Sequence, residues 1–241
     1  MKKIFNWGSI RLMLMFAVVI SLFAFTSKRN GERKLVKSEV VFSEGENLFI
    51  SPETVNKLLI ENKTHVTAIE KEQVDLNKLE KAVKQHAMIA DSEVFVSIDG
   101  VLKAVIKQKS PMVRVFDEMG SFYIDSDGNK MPLSSLYAAR VPIVSGAIDS
   151  EEAGDLKKLF KFIHDDEFLK KNIIGIQVYS NGAIKMMNRN FNYEIDFGRA
   201  INVETKFRNY KAFFQKAARD SSLYHYKKIN LKFTQQVVCT K

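Results

Sequence analysis

The sequence predicts an α+β chain: an N-terminal transmembrane helix, a β-α-α-β-β module, and a second α+β domain with a mixed or antiparallel sheet. Three observations carry this. A single apolar run near the start lies between two groups of basic residues. Two turn signals, Asp99-Gly100 and Ser180-Asn181-Gly182, each separate alternating apolar stretches, as β-hairpins require. Several later stretches space their apolar residues by three, four and seven, the period of a half-buried helix.

The apolar run covers residues 12–25, LMLMFAVVISLFAF, with Trp7, Gly8 and Ile10 able to extend it. A bilayer core about 30 Å thick needs ~17–25 such residues in a helix, and Arg11 can snorkel toward the headgroups. A secretory signal has a similar basic start and apolar middle, but no small-x-small cleavage site follows Ala24, so a retained single-pass anchor is expected. Residues 1–37 hold eight of the 37 Lys and Arg but one of the 28 Asp and Glu, so they carry +7 of the net +9. The remaining residues are therefore close to neutral. The basic charge lies beside a hydrophobic segment rather than on a folded face, which argues against nucleic-acid binding. Basic residues after the run outnumber those before it, but this orients a large domain only weakly.

Beyond the leader, residues 35–42 form a strand. Ser51-Pro52-Glu53 opens a helix with a capping hydroxyl, Pro at the first helical position and an acid facing the dipole. Its Val55, Leu58 and Leu59 point inward and it fades after Asn62. Asp75 caps a second helix through Leu76, Leu79 and Val83. Strands over 93–98 and 101–108 follow, joined by the Asp99-Gly100 turn. After Pro111 come a strand over 122–124, a polar turn over 125–129 and an apolar stretch over 141–144. Asp155 opens a helix whose Leu156, Leu159, Phe160 and Ile163 share a face. A hairpin over 173–179 and 183–188, a strand over 193–197, a helix over 203–218 with Val203, Phe207, Tyr210, Phe214 and Ala217 in one stripe, and a strand over 228–234 complete the chain.

Catalytic chemistry is hard to find. The stretch 125–129, DSDGN, fails as a calcium loop because its Gly comes too early and Leu136 stands where a closing Glu belongs. His164-Asp165-Asp166-Glu167 reads as a solvated charge run near a helix end. The four His residues, His65, His86, His164 and His225, show no ligand spacing, and no phosphate-cradling Gly loop, G-x-S-x-G or H-E-x-x-H occurs. The single Cys239 excludes an intramolecular disulfide and reads as an unreactive thiol near the chain end. Asn62-Lys63-Thr64 matches a glycosylation acceptor, which matters only in a eukaryotic secretory pathway. No enzyme, cofactor, metal or small-molecule substrate is expected.

Residues 101–116, VLKAVIKQKSPMVRVF, followed by Phe122-Tyr123-Ile124-Asp125, Gly128, Met131-Pro132-Leu133 and Val141-Pro142-Ile143-Val144-Ser145-Gly146, resemble the FtsQ/DivIB family of bacterial cell-division proteins. The β-α-α-β-β order is similar to that of the family's POTRA domain, and the stretch from Ile229 to Val238 looks like its closing strand. The resemblance implies a short cytoplasmic tail over 1–9, a transmembrane helix over 10–26, a juxtamembrane linker over 27–34, a POTRA-like domain over 35–113 and an FtsQ-type β domain over 114–241. It further implies a non-enzymatic, bitopic inner-membrane scaffold of the septal divisome, its two domains in the periplasm, that binds FtsB and FtsL and helps regulate septal peptidoglycan synthesis.

A strand over 228–234 at a sheet edge could accept a partner strand. Lys228, Asn230 and Lys232 would then point outward while Ile229, Leu231 and Phe233 hold the core. With this resemblance, the expected partner-binding residues are Tyr226, Lys228, Asn230, Lys232, Phe233, Thr234, Gln235, Val237 and Val238. The lysines could equally protect that edge from aggregation. Two other functional readings stay open: a POTRA-bearing transport or assembly component that handles unfolded outer-membrane clients, and a secreted module of unknown chemistry.

Overall fold

The computed structural model describes residues 7–31, 33–43, 49–60, 70–71, 74–117, 120–148 and 153–241. The glycosylation-type tripeptide at 62–64, His65 and the expected helix end at Asn62 lie outside them. Helix α1, Trp7–Gly31, exceeds the expected 10–26 at both ends. At about 1.5 Å per residue its 25 residues exceed a ~30 Å hydrocarbon core. Its apolar side chains from Leu12 to Phe25 are exposed, as a lipid-facing helix requires. Contacts divide the chain into two units, Met1–Gln108 and Lys109–Lys241.

In the first unit, strand β1 (Lys37–Phe42), helices α2 (Pro52–Ile60) and α3 (Leu76–Lys84), and strands β2 (Ile89–Val96) and β3 (Val101–Gln108) follow in the expected β-α-α-β-β order. Ser51 Oγ accepts from the Thr54 amide at 3.1 Å and Asp75 Oδ1 from the Lys78 amide at 3.0 Å, so both expected caps form. The sheet order is β1-β3-β2, with β1 parallel and β2 antiparallel to β3. Val55 and Leu59 of α2, Leu79 and Val83 of α3, and Leu102, Ala104 and Ile106 of β3 are all buried. Gly100 takes φ +82° in the hairpin turn, a conformation glycine adopts without steric cost. Strand β2 starts four residues before the expected 93 because a bulge between Ile89 and Asp91 breaks the two-residue alternation that marks a strand.

The second unit is built on a nine-stranded mixed sheet. Its strands are β4 (Pro111–Asp117), β5 (Gly120–Asp125), β6 (Lys130–Met131), β7 (Ile143–Gly146), β8 (Ile173–Val178), β9 (Ile184–Asn188), β10 (Glu194–Gly198), β11 (Lys228–Asn230) and β12 (Val238–Thr240). Helices α4 (Ala153–Asp165), α5 (Glu167–Asn172) and α6 (Val203–Arg219) supply the other side of its core. Across the sheet the order is β12-β11-β10-β9-β8-β7-β4-β5-β6. Strand β4 is central, paired with both β5 and β7; the sequence reading passed over it because it opens on a proline. Pro111 is tolerated as the first residue of the strand, and Met112, Val113 and Val115 are buried. The boundary expected between 113 and 114 falls inside this strand.

Register aligns one apolar row across seven strands: Val115, Val144, Ile176, Met186, Ile195, Ile229 and Cys239 are successive cross-strand partners. Leu156, Leu159, Phe160 and Ile163 of α4, Leu169 of α5 and Phe207 and Tyr210 of α6 join the same core. Within it the Tyr193 and Tyr210 hydroxyls are 2.8 Å apart and Asn188 Nδ2 donates to Tyr210 at 3.1 Å, so these polar tips are satisfied where burial would otherwise penalise them. Burial raises the pKa of both tyrosines, so they stay neutral.

At residues 125–129 the chain turns: Asp125 Oδ1 accepts from the Asp127 and Asn129 amides at 3.0 and 2.8 Å, and the Lys109 ammonium lies 3.2 Å from Oδ2. The charge run at 164–167 is less solvated than expected. Asp166 caps α5 by accepting from the Leu169 amide at 3.0 Å, also meets Lys211, and His164 is half-buried.

The last expected strand, 228–234, is corrected in two respects. It ends at Asn230, and it is an interior strand, parallel to β10 on one flank and antiparallel to β12 on the other. Helix α6 is the cause: a helical crossover returns the chain parallel to the strand it left, and the tail then folds back to pair outside. Ile229 and Leu231 are buried as expected, but Phe233 is 53% exposed. The two residues should therefore separate in a denaturation measurement. Ile229→Ala is expected to cost about 2–5 kcal/mol, while Phe233→Ala should change stability by less than about 0.5 kcal/mol.

Candidate partner-binding edge

The structure gathers the nine expected partner-binding residues into the C-terminal corner of the large sheet but gives them different tasks. Lys228 lies in β11 with its Nζ 3.0 Å from Asp196 Oδ2, and Lys232 reaches the same oxygen at 2.9 Å. Asn230, also in β11, turns its Oδ1 back to accept from the Lys232 amide at 2.9 Å. Thr234 presents its carbonyl to Asn209 Nδ2 at 2.7 Å, which ties the loop to α6. Tyr226 is half-buried and packs edge-on to Phe213 of α6, centroids 5.4 Å apart. Val237 is half-buried against the core. Phe233 and Gln235 are exposed in the loop between β11 and β12. Val238 is the first residue of β12 and 43% exposed.

Asp196 is the residue the sequence reading missed. It sits in β10 between Ile195 and Phe197, and is 3% exposed although it faces away from them. The available signal was an acid flanked on both sides by apolar residues, in Ile195-Asp196-Phe197, a position where a carboxylate needs partners. Its partners come from residues 228 and 232, and only the fold brings those alongside. Burial alone would push its pKa up; the hydrogen bonds and charges of Lys232 and Lys228 outweigh it and hold the carboxyl below its ordinary value. The two lysines therefore fasten β11 and the following turn to β10. Gly198 completes the corner: a Cβ there would come 2.9 Å from Lys232 Cγ.

From the other side of the sheet, Lys206 of α6 reaches the end of β10. The residue is 2% exposed, and its ammonium donates to the carbonyls of Phe197 at 3.0 Å and Arg199 at 2.9 Å. It also lies 4.6 Å over the Phe197 ring, a cation–π geometry. Burial lowers its pKa, with Asp196 opposing that shift. The crossover helix is thus held directly to the strand it leaves.

Beyond β11, strand β12 is the outermost strand of the sheet; among the described residues only β11 pairs with it. Its Cys239 points into the core row, half-buried, and burial pushes its thiol pKa up. Val238 and Thr240 alternate to the opposite face. An outermost strand leaves one row of backbone N–H and C=O groups open to a further strand. The edge thus exists one strand further out than expected, and Val238 is the member of the expected set that lies on it.

Asp196→Ala should lower the stability of the second unit by about 1.5–3 kcal/mol, the range for hydrogen bonds to a charged group. The unfolded carboxyl titrates near 3.8 and the folded one below it. Its contribution is therefore complete above pH 3.8 and lost as the pH falls through the folded value. Denaturation curves of the wild type and Asp196→Ala are expected to differ at neutral pH and to converge in more acid solution.

The description FtsQ/DivIB, C-terminal related, is that of a family matching residues 110–240. The match is more than half of the chain, and it begins one residue before β4 and ends with the last residue of β12. No curated protein matches the chain. The matched segment carries every strand of the large sheet, the α6 crossover and the outermost C-terminal strand, and the chain belongs to the FtsQ/DivIB family.

Proposed function

We propose that this protein is a non-enzymatic scaffold of the septal divisome, held in the inner membrane by α1 with both units on the periplasmic side. Membership of a bacterial cell-division family supports the division role, and an exposed apolar helix of transmembrane length supports the anchor. The observation that carries the mechanism is the outermost position of β12. A segment of an FtsB- or FtsL-type partner adds there as a further strand. Main-chain hydrogen bonds supply affinity and alternate side chains supply selectivity.

Cross-strand register defines what the partner must present. A residue opposite Cys239 joins the row that runs through Ile229 and Ile195, so an apolar side chain fits there. Its neighbours on either side meet Val238 and Thr240 and can be polar. Phe233 and Gln235 precede this margin in sequence, Tyr226 adjoins Lys227, whose amide donates to the Thr240 carbonyl at 2.8 Å, and the three supply side-chain contacts. Lys228 and Lys232, committed to Asp196, act by keeping the margin in place. Docking in this way lets the protein influence septal peptidoglycan synthesis without chemistry of its own.

Two measurements test this reading. Backbone N–H groups alternate in direction along β12, so proline placed singly at Val238, Cys239 and Thr240 removes either a donor to β11 or one facing outward, and an edge strand tolerates the latter. Variants that keep the wild-type melting transition should lose capture of the FtsB-type partner. Retained affinity in all of them would sink strand addition. In the native host, depletion of the protein should produce filaments visible by microscopy, and normal septation would remove the division role itself.

A further inference from the structure

We propose that the end of the first unit joined to α1 rests on the surface of the bilayer that α1 crosses, with Ile98 as an apolar tip and a cluster of basic residues facing anionic headgroups. The inference rests on α1 being a membrane span. It concerns a contact made by the folded part of the unit.

Four observations converge on this end of the sheet. First, the connection is short. One residue, Glu32, separates Gly31 at the end of α1 from Arg33, a reach of about 7 Å at most. Second, the chain is fixed to the unit at once. The Arg33 carbonyl accepts from the Lys71 amide at 2.9 Å, Lys34 bridges Glu70, Leu35 is 1% exposed and the Val36 amide donates to the Gly100 carbonyl at 2.8 Å.

Third, the β2–β3 turn lies at this same end. A Cβ on Gly100 would stand 3.3 Å from the Lys34 carbonyl oxygen. The turn is rigid, since the Gly100 amide donates to the Ser97 carbonyl at 3.0 Å and Ser97 Oγ accepts from the Val101 amide at 3.1 Å. At its tip Ile98 is 86% exposed, and Val36 beside it is 59% exposed. Turn tips in contact only with water favour Gly, Asn, Asp, Ser and Pro, and among the described residues none covers the Ile98 side chain.

Fourth, the charge matches a lipid surface. Lys28 and Arg29 lie in the last turn of α1, and Arg33 and Lys34 are exposed at the start of the unit. The acids in these segments of the sequence are Glu32, Glu39, Glu70 and Asp99, of which Glu39 pairs with Lys37 at 3.6 Å; with Lys37 and Lys71 the basic residues number six. An apolar turn tip beside a segment rich in ammonium and guanidinium groups, that segment following a span by one residue, is the composition that partitions into a headgroup layer.

The test uses the full chain with Cys239→Ser, reconstituted in vesicles of phosphatidylcholine and phosphatidylglycerol whose acyl chains are brominated near the headgroup. The same environment-sensitive dye is attached either at Ile98→Cys or at Ala90→Cys. Ala90 is an exposed position on β2, about 20 Å away toward the other end of the strand. Trp7, the chain's single tryptophan, reports independently on insertion of α1. The expected result is strong quenching at position 98, little at position 90, and a loss of the quenching at 98 when phosphatidylglycerol is omitted or when Arg33→Glu and Lys34→Glu are combined. Equal behaviour at 98 and 90 with Trp7 quenched would overturn the inference and leave the anchor intact. Quenching at 98 that ignores phosphatidylglycerol would overturn the headgroup contact. An unquenched Trp7 would show that α1 is not embedded, which removes the anchor reading and this inference with it.

Discussion

A single cross-strand row holds the second unit together. Val115, Val144, Ile176, Met186, Ile195, Ile229 and Cys239 lie side by side on seven adjacent strands, and the first six are at most 1% exposed. A one-residue slip in any of these strands would turn its members to the other face. Register is therefore common to the whole sheet, and the position of the last strand depends on that of the first. Helices α4, α5 and α6 cover the row with residues at helical spacing, and their aromatic side chains, Phe160, Phe207 and Tyr210, are fully buried there.

The far corner of this sheet needs more than apolar contact because its strands are short. Strands β11 and β12 have three residues each, too few to define a position by main-chain bonds alone. Polar fasteners supply the rest. Asp196 gathers Lys228 and Lys232 on one face, and Lys206 ties α6 to the end of β10 on the other. A buried carboxylate or ammonium without partners is costly, so these groups favour one arrangement of the corner strongly. The outcome is a defined outermost strand, which is the requirement for selective pairing with a second protein. A frayed edge would accept any extended segment.

The two proposed contacts use different parts of the chain. At the start, an exposed apolar helix is followed within a few residues by a folded sheet whose hairpin turn carries the exposed Ile98. At the end, the outermost strand offers backbone groups and a thiol turned inward. Neither feature involves a catalytic group, and both depend on rigid local geometry: a four-residue turn in one case and a buried ion cluster in the other.

Much of this architecture could be read from residue order. Both helix caps, both hairpin turns, the apolar stripes of α3, α4 and α6 and the likeness to a cell-division family depend on neighbours within a few positions, and period and turn chemistry report such relations directly. Strand β4 escaped because its opening proline reads as punctuation, and the start of β2 because a bulge erased its alternation. The candidate site was only half legible. Ile229 and Leu231 were placed in the core correctly, but Phe233 was not, and Lys228, Asn230 and Lys232 were assigned to an edge that lies one strand further out. Alternation along a segment says which side chains share a face; it carries no information about what pairs on either flank. That was decided by the α6 crossover, which set β11 beside β10, and by Asp196, whose partners are more than thirty residues away in sequence and adjacent only in space.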